Sequence, residues 1–121
     1  MRYIRIMLVT LGALAESNRL HIVELLRDGP RSVGEIAEQL RLRQPQVSKH
    51  LRVLSLAGIV EVHQLAQQRI YQLRPQPFYE LDAWLESYRH TWDARFDRLE
   101  TYLRGEQGQA QEQERQNGER Q

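Results

Sequence analysis

Residues 32–54 contain two short helical patterns separated by a tight turn, and this arrangement restricts the fold more than any other feature of the chain. The first pattern begins with a capping box, in which the Ser32 hydroxyl accepts the third backbone N–H of the helix and Glu35 accepts the serine N–H. The second carries Pro45 in its first turn, where the N–H that proline lacks would have no partner. The spacing predicts two helices joined at residues 41–44, the second buried through Val47, Leu51 and Leu54.

The other side of the second helix carries only side chains that form hydrogen bonds. Glutamine pairs with adenine through two hydrogen bonds, arginine and lysine pair with guanine, and serine pairs with either base. No carboxylate lies on this helix, and a carboxylate would repel the phosphates of a nucleic acid. The pattern predicts a surface that binds double-stranded DNA, with an ordinary solvated face as the alternative. Its residues are Gln44, Gln46, Ser48, Lys49 and Arg52.

The flanking segments predict a mainly α fold with a small β-hairpin. One helix is expected over Met1–Ala15, and another begins at Ser17 and stops before Pro30. Apolar residues alternate at 60–62 and again at 71–73 around a polar stretch, which predicts two antiparallel strands. A helix pair followed by a hairpin is a winged helix-turn-helix.

A long C-terminal helix is predicted from Phe78 to Leu103, about 39 Å at the rise of an α-helix. Apolar side chains recur along it every three or four residues. A core as small as this chain allows cannot cover such a stripe, so we expect part of it to contact a second subunit. Residues 105–121 are rich in Gln, Glu, Arg and Gly and are predicted to be a disordered tail, which leaves residues 1–104 as one domain.

Met1–Ala15 has some features of a short secretory signal, since Arg2 and Arg5 precede an apolar stretch that ends in small residues. We favour a helix in a cytoplasmic protein, because the chain after Ala15 has the pattern of an intracellular regulator. Secretion is the alternative. No apolar run approaches the roughly 18 residues that a membrane-spanning helix needs, so no membrane partner is expected.

The charges are unevenly distributed, although the net charge is only +1. Residues 31–74 hold seven basic and three acidic side chains, whereas residues 75–121 hold six basic and ten acidic ones. A basic middle suits a polyanionic partner, and chance scatter of surface charge is the alternative. The absence of cysteine excludes disulfides, thiolate metal sites and cysteine nucleophiles.

Four blocks of the sequence, at residues 11–20, 32–37, 44–54 and 57–60, resemble the ArsR family of bacterial winged-helix repressors. The resemblance implies a homodimer formed by the first and last helices. It also implies that two recognition helices enter successive major grooves of a partly palindromic operator, with half-sites about 34–36 Å apart. Repression would follow from blocking the polymerase, with release by an unknown effector. The dimer residues implied are Leu8, Leu11, Leu85, Tyr88, Trp92, Phe96 and Leu99.

The resemblance also assigns roles to the exposed face of the second helix. Gln46 and Arg52 are expected on bases or phosphates. His50 matches the family's histidine, and we expect a contact within the domain at least as much as a contact with DNA. The residues expected on base edges are Gln44, Ser48 and Lys49.

The chain departs from the family pattern at three places. Arg43 stands where a capping serine is common, so it loses a cap but adds a cation near phosphate. The tip of the wing, residues 64–69, has Arg69 as its only charge, which weakens the case for phosphate contacts by the wing. Ser32 and Gly34 occupy the positions of the cysteine pair of metal-sensing members, and neither supplies a thiolate.

Two other functions stay as alternatives. Glu86, His90, Asp93 and Asp97 share one face of the long helix and would suit zinc or nickel if two subunits contributed, although Arg89 beside them favours a solvated face. A winged-helix module that binds mainly protein is the second alternative, given the glutamine-rich wing. Catalysis is not expected, because the sequence contains no phosphate-binding loop and no nucleophile–base pair. We therefore expect no enzyme activity, no metal site and no cofactor.

Overall fold

The computed structural model describes residues 2–119, with all side chains in that range except those of residues 2, 107–113 and 119. Helices predominate and the strands form one small sheet, so the predicted class, a mainly α winged helix-turn-helix with a long C-terminal helix, is confirmed. The elements are α1 (Arg2–Leu14), α2 (Ser17–Leu26), β1 (Arg31–Ser32), α3 (Val33–Leu40), α4 (Gln44–Leu56), β2 (Val60–Leu65), β3 (Gln68–Leu73) and α5 (Pro75–Glu119).

The helix-turn-helix of α3 and α4 has the predicted local contacts. The Ser32 hydroxyl accepts the Glu35 N–H and the Glu35 carboxylate accepts the Ser32 N–H, both at 3.2 Å. Arg41 ends α3 in the left-handed conformation, with φ of 56°. Arg43 precedes α4 and offers no side-chain acceptor, but the Gln46 amide oxygen accepts its backbone N–H at 3.3 Å. The start of α4 therefore has only half of the capping contacts that stabilise α3.

β2 and β3 form the predicted antiparallel hairpin, here called the wing, with Val60 opposite Leu73 and Leu65 opposite Gln68. The two-residue β1 pairs with the other edge of β3, so that the strand order is β1-β3-β2. The sequence did not predict this third strand, because two residues are too few to show alternation. β1 leads directly into α3, and its pairing ties the start of the helix-turn-helix to the wing.

The core lies among α2, α3, α4 and the wing. Its fully buried side chains include the predicted stripe of α4, which is confirmed as the buried side of that helix. Burying an aliphatic side chain of this size contributes about 1.5–3 kcal/mol, so the stripe determines which side of α4 faces the core. The fully buried side chains are Ile22, Ile36, Val47, Leu51, Leu54 and Ile59.

The chain forms two compact units, one up to Asp82 and one from Ala83, and the boundary falls within α5. α5 begins at Pro75 and continues to Glu119 instead of ending at Leu103. The structure is helical over residues 105–119, a segment for which the sequence predicted a disordered tail, and residues 120–121 lie outside the described part. The prediction weighed the lack of apolar residues, whereas Gln, Glu, Arg and Ala have high intrinsic helix propensity.

Candidate nucleic-acid interface

α4 presents its polar side chains outward because its apolar stripe is fully buried. Six predicted site residues lie together on this exposed surface at the start and middle of the helix. No acidic residue interrupts them, since α4 contains none. These six are Arg43, Gln44, Gln46, Ser48, Lys49 and Arg52, all of them exposed.

A groove of about 410 Å³ separates α4 from the wing. It brings Arg69, the predicted wing residue, onto one surface with Ser48 and Arg52 of α4. Two guanidinium groups with serine and tyrosine hydroxyls are donors of the kind that bind phosphate oxygens. Two polar residues of this groove, Ser55 and Tyr71, were not predicted from the sequence. Ser55 continues the spacing of Ser48 and Arg52 by one helical turn, which is the signal that would have found it.

The base of the wing is fixed to the end of α4. Gly58 adopts a φ of 75°, and its carbonyl accepts a hydrogen bond from the Arg74 guanidinium at 3.1 Å. A Cβ at Gly58 would lie only 3.0 Å from that guanidinium, so glycine suits this turn for two reasons. The contact holds the strands at the place where they border the groove.

The rest of the wing is polar and weakly charged. Its tip turns at Ala66, whose φ of 55° is uncommon for a residue with a Cβ, and the Gln64 amide donates to the Ala66 carbonyl at 3.3 Å. On the body of the wing, the Gln72 amide donates to the Glu61 carboxylate at 2.6 Å. This bond lowers the pKa of Glu61, and the neighbouring His63 lowers it further.

His50 contacts its own domain. Its Nδ1 lies 3.6 Å from a carboxylate oxygen of Glu16, and only a fifth of its side chain is exposed. The sequence left two roles open for His50, a contact within the domain and a contact with DNA. The structure shows the contact within the domain.

The predicted dimer residues are all exposed in the single chain. Leu8 and Leu11 lie on α1, which is part of the first unit. The others lie on α5, where Trp84 and Tyr88 meet edge to face at 5.3 Å and the Arg95 guanidinium lies 5.2 Å from the Trp92 ring centre. On α5 these exposed residues are Leu85, Tyr88, Trp92, Phe96 and Leu99.

The acidic and histidine residues of α5 show no built metal site. Glu86 pairs with Arg89 at 3.1 Å, as the solvated-face alternative predicts. Among the side chains that the structure describes, no three of His, Asp or Glu are grouped so that they could hold one ion. In the same part of the chain, no helix is both long and apolar enough to cross a membrane.

Comparison with protein families gives one match. A model described as "Bacterial regulatory protein, arsR family" matches residues 16–62, from just before α2 into β2. The matched stretch includes the whole helix-turn-helix.

The proteins similar to the chain include two curated proteins and one solved structure described here. The HTH-type transcriptional regulator Rv2034 of Mycobacterium tuberculosis is 46% identical over 63 residues, 52% of this chain and 59% of that protein. The transcriptional repressor SdpR of Bacillus subtilis is 27% identical over 81 residues, 67% of this chain and 90% of that protein. The structure of HlyU from Vibrio cholerae is 34% identical with a TM-score of 0.57, covering 70% of this chain and 89% of that one. The match thus spans less than two thirds of Rv2034.

Proposed function

Because the chain belongs to the arsR family of bacterial regulatory proteins, we propose that it regulates transcription by binding double-stranded operator DNA as a homodimer. One observation carries the proposal: α4 exposes a face without carboxylates, and this face continues into the arginine-lined groove beside the wing. A role of this kind needs no catalytic group, and operator DNA would place the protein in the cytoplasm.

The face of α4 supplies two kinds of contact. Gln44, Ser48 and Lys49 have the donors and acceptors that base edges require in the major groove. Arg43, Arg52 and Arg69 would bind phosphate oxygens, which position the protein but carry little sequence information. Gln46 serves either purpose, although its side chain also accepts the Arg43 N–H.

The exposed apolar faces support the homodimer. Trp92, Phe96 and Leu99 on α5 each leave at least two fifths of their surface in water, and Leu8 on α1 leaves more. Large apolar side chains exposed along one helix face, as on α5, are typical of an interface. In a dimer the two copies of α4 would enter successive major grooves of a partly palindromic site, about 34–36 Å apart.

We propose repression as the direction of regulation, by occlusion of the promoter from the polymerase. SdpR is named as a repressor, which favours this direction.

A binding measurement tests the function. A random duplex library is enriched on the full-length protein, and the affinity of the selected duplex is compared with that of a scrambled duplex over a range of salt concentrations. We expect sequence preference together with a steep fall in affinity as salt rises, because each phosphate contact releases a counterion. No enrichment, or binding that ignores sequence even at low salt, would contradict the proposal.

A module that binds mainly protein is the second candidate. The wing favours this second candidate. The tip of the wing has a single charged residue, Arg69, and Leu65 in the tip leaves two thirds of its surface exposed. The salt series distinguishes the two candidates, since an interface with protein lacks the counterion release of a phosphate backbone.

A further inference from the structure

The corner between α1 and α2 holds a group of polar contacts beside α4. Glu16 caps α2, since its carboxylate accepts the backbone N–H of Arg19 at 2.8 Å. The Arg19 side chain reaches α1, where Nε donates to the Ala13 carbonyl at 2.6 Å and Nη2 donates to the Gly12 carbonyl at 3.5 Å. This group, called the Glu16 corner below, fixes the end of α1 to the start of α2.

His50 joins α4 to the Glu16 corner. Its Nδ1 faces the Glu16 carboxylate at 3.6 Å. At 3.6 residues per turn, His50 flanks the buried stripe on one side, while Ser48, Arg52 and Ser55 of the wing groove flank it on the other. α4 is therefore held by apolar contacts behind it and by a polar contact along the edge farther from the wing.

We propose that His50 and Glu16 are a positioning pair that sets the rotation of α4, so that its outer side chains meet the bases of DNA in register. The proposal rests on the proposed function. The buried stripe determines which side of α4 faces the core, and the contact of His50 with Glu16 at the edge of that side adds a second constraint on the rotation of the helix and on a slide along its axis. The attraction between the imidazole Nδ1 and the Glu16 carboxylate depends on the distance between these two groups, so both movements change it.

The Glu16 carboxylate is suited to serve as the fixed partner. The backbone N–H of Arg19 lowers the pKa of Glu16, and the N–H of Asn18 and the His50 ring lower it further, so that the group stays charged. Because the same carboxylate caps α2, it cannot follow α4 when that helix moves. A displacement of α4 therefore changes the distance between the two groups of the pair.

Three substitutions separate the contact from the packing around it. His50→Leu keeps most of the side-chain volume but removes both ring nitrogens. His50→Asn keeps a nitrogen donor close to the place of Nδ1. Glu16→Gln keeps an acceptor for the cap of α2 but removes the charge.

The readout is the affinity of the full-length protein for the duplex enriched on wild type. We expect His50→Leu and Glu16→Gln each to lose about tenfold, and His50→Asn to recover most of that loss. His21→Leu removes an imidazole from the exposed side of α2 and is the matched control, expected to bind as wild type does.

The double variant distinguishes a pair from two independent residues. If the contact is responsible, H50L/E16Q binds no more weakly than the weaker of the two single variants. The proposal would be overturned if the losses of affinity in the two single variants multiplied in the double variant. It would also be overturned if the His50→Leu variant bound the duplex as tightly as wild type does.

NMR titration supplies a readout that does not involve DNA. The pKa of Glu16 should rise in His50→Leu, because the His50 ring no longer lowers it while the capping bond from Arg19 remains. An unchanged pKa would also overturn the proposal of a positioning pair. Circular dichroism shows whether the His50→Leu variant folds. If it does not fold, the affinities of the His50→Asn and Glu16→Gln variants are compared with that of wild type instead. Failure to enrich any duplex contradicts the proposed function itself, whereas equal binding by wild type and all variants contradicts only the positioning pair.

Discussion

Lys49 and Gln44 lie on the exposed side of α4, where truncation removes a polar group without opening a cavity in the core. We expect Lys49→Ala and Gln44→Ala each to weaken binding to the selected duplex by about 1–3 kcal/mol, because each deletes a contact to a base edge. Fluorescence anisotropy with labelled duplex measures the change. Arg27→Ala, which removes one exposed positive charge directly after the end of α2, is the control for net charge. Wild-type affinity in both α4 variants would show that these side chains do not read bases.

The Glu16 cap makes stability depend on pH in a defined direction. Because the folded pKa of Glu16 lies below its ordinary value of 4.5, the unfolded chain binds more protons near that pH. The contribution of this carboxylate to stability is therefore complete above about pH 4.5 and is lost as the pH falls through the folded pKa. The melting temperatures of wild type and Glu16→Gln should differ most near neutral pH and converge in acid. A difference in melting temperature that stays constant with pH would rule out a stabilising role for the charged Glu16 carboxylate.

Which α4 residues are exposed could be predicted from the sequence, since helical periodicity alone separates the buried stripe from the outer face. The groove beside the wing could not be predicted in full. Ser55 and Tyr71 belong to it only because the hairpin lies against the end of α4, and that placement depends on Gly58 and Arg74 at the base of the wing. The contact of His50 with Glu16 joins residues far apart in sequence, and no local pattern specifies it.

At the scale of elements, the weakly capped start of α4 gives a prediction with two opposite effects. Arg43→Ser supplies the side-chain acceptor that the N-cap lacks, so we expect the free energy of unfolding to rise by about 1 kcal/mol. The same change removes a cation from the proposed interface, so the affinity for DNA should fall. Urea denaturation and anisotropy measure the two effects. A variant that is no more stable, or that binds DNA more tightly, would contradict this view of Arg43.

The helices and the hairpin followed from caps, turn residues and periodicity, and the structure confirms them. β1 and the C-terminal part of α5 were not predicted from the sequence, for two different reasons. β1 exists only through its pairing with β3, which is a long-range contact. The extension of α5 beyond Leu103 depends on backbone propensity in a segment without apolar periodicity, and a hydrophobic pattern carries no information there.

At the scale of the whole molecule, the exposed stripe of α5 predicts self-association. Phe96→Glu places a charge in the middle of this stripe, so we expect the protein to become monomeric and to bind the selected duplex much more weakly. Sedimentation equilibrium measures the first effect and anisotropy the second. Ala94→Glu adds the same charge away from the stripe and should leave the dimer intact. A Phe96→Glu variant that stays dimeric would show that the interface lies elsewhere.

The two compact units were not separated by the sequence analysis, which placed one domain over residues 1–104. The core side chains end with the first part of α5, and every described residue from Leu85 onward is exposed in the single chain. The spacing of apolar residues shows that such a helix has an apolar side. The same spacing is expected whether that side is covered by the same chain or by a second copy.

The central claim is that the outer face of α4 enters the major groove once in each protomer. Protection of guanine N7 atoms from methylation in the selected duplex tests it most directly, because N7 lies on the floor of the major groove. We predict two protected clusters with centres about one helical turn apart, about 34–36 Å, both lost in Lys49→Ala. A single cluster, or binding that leaves every N7 reactive, would contradict the account.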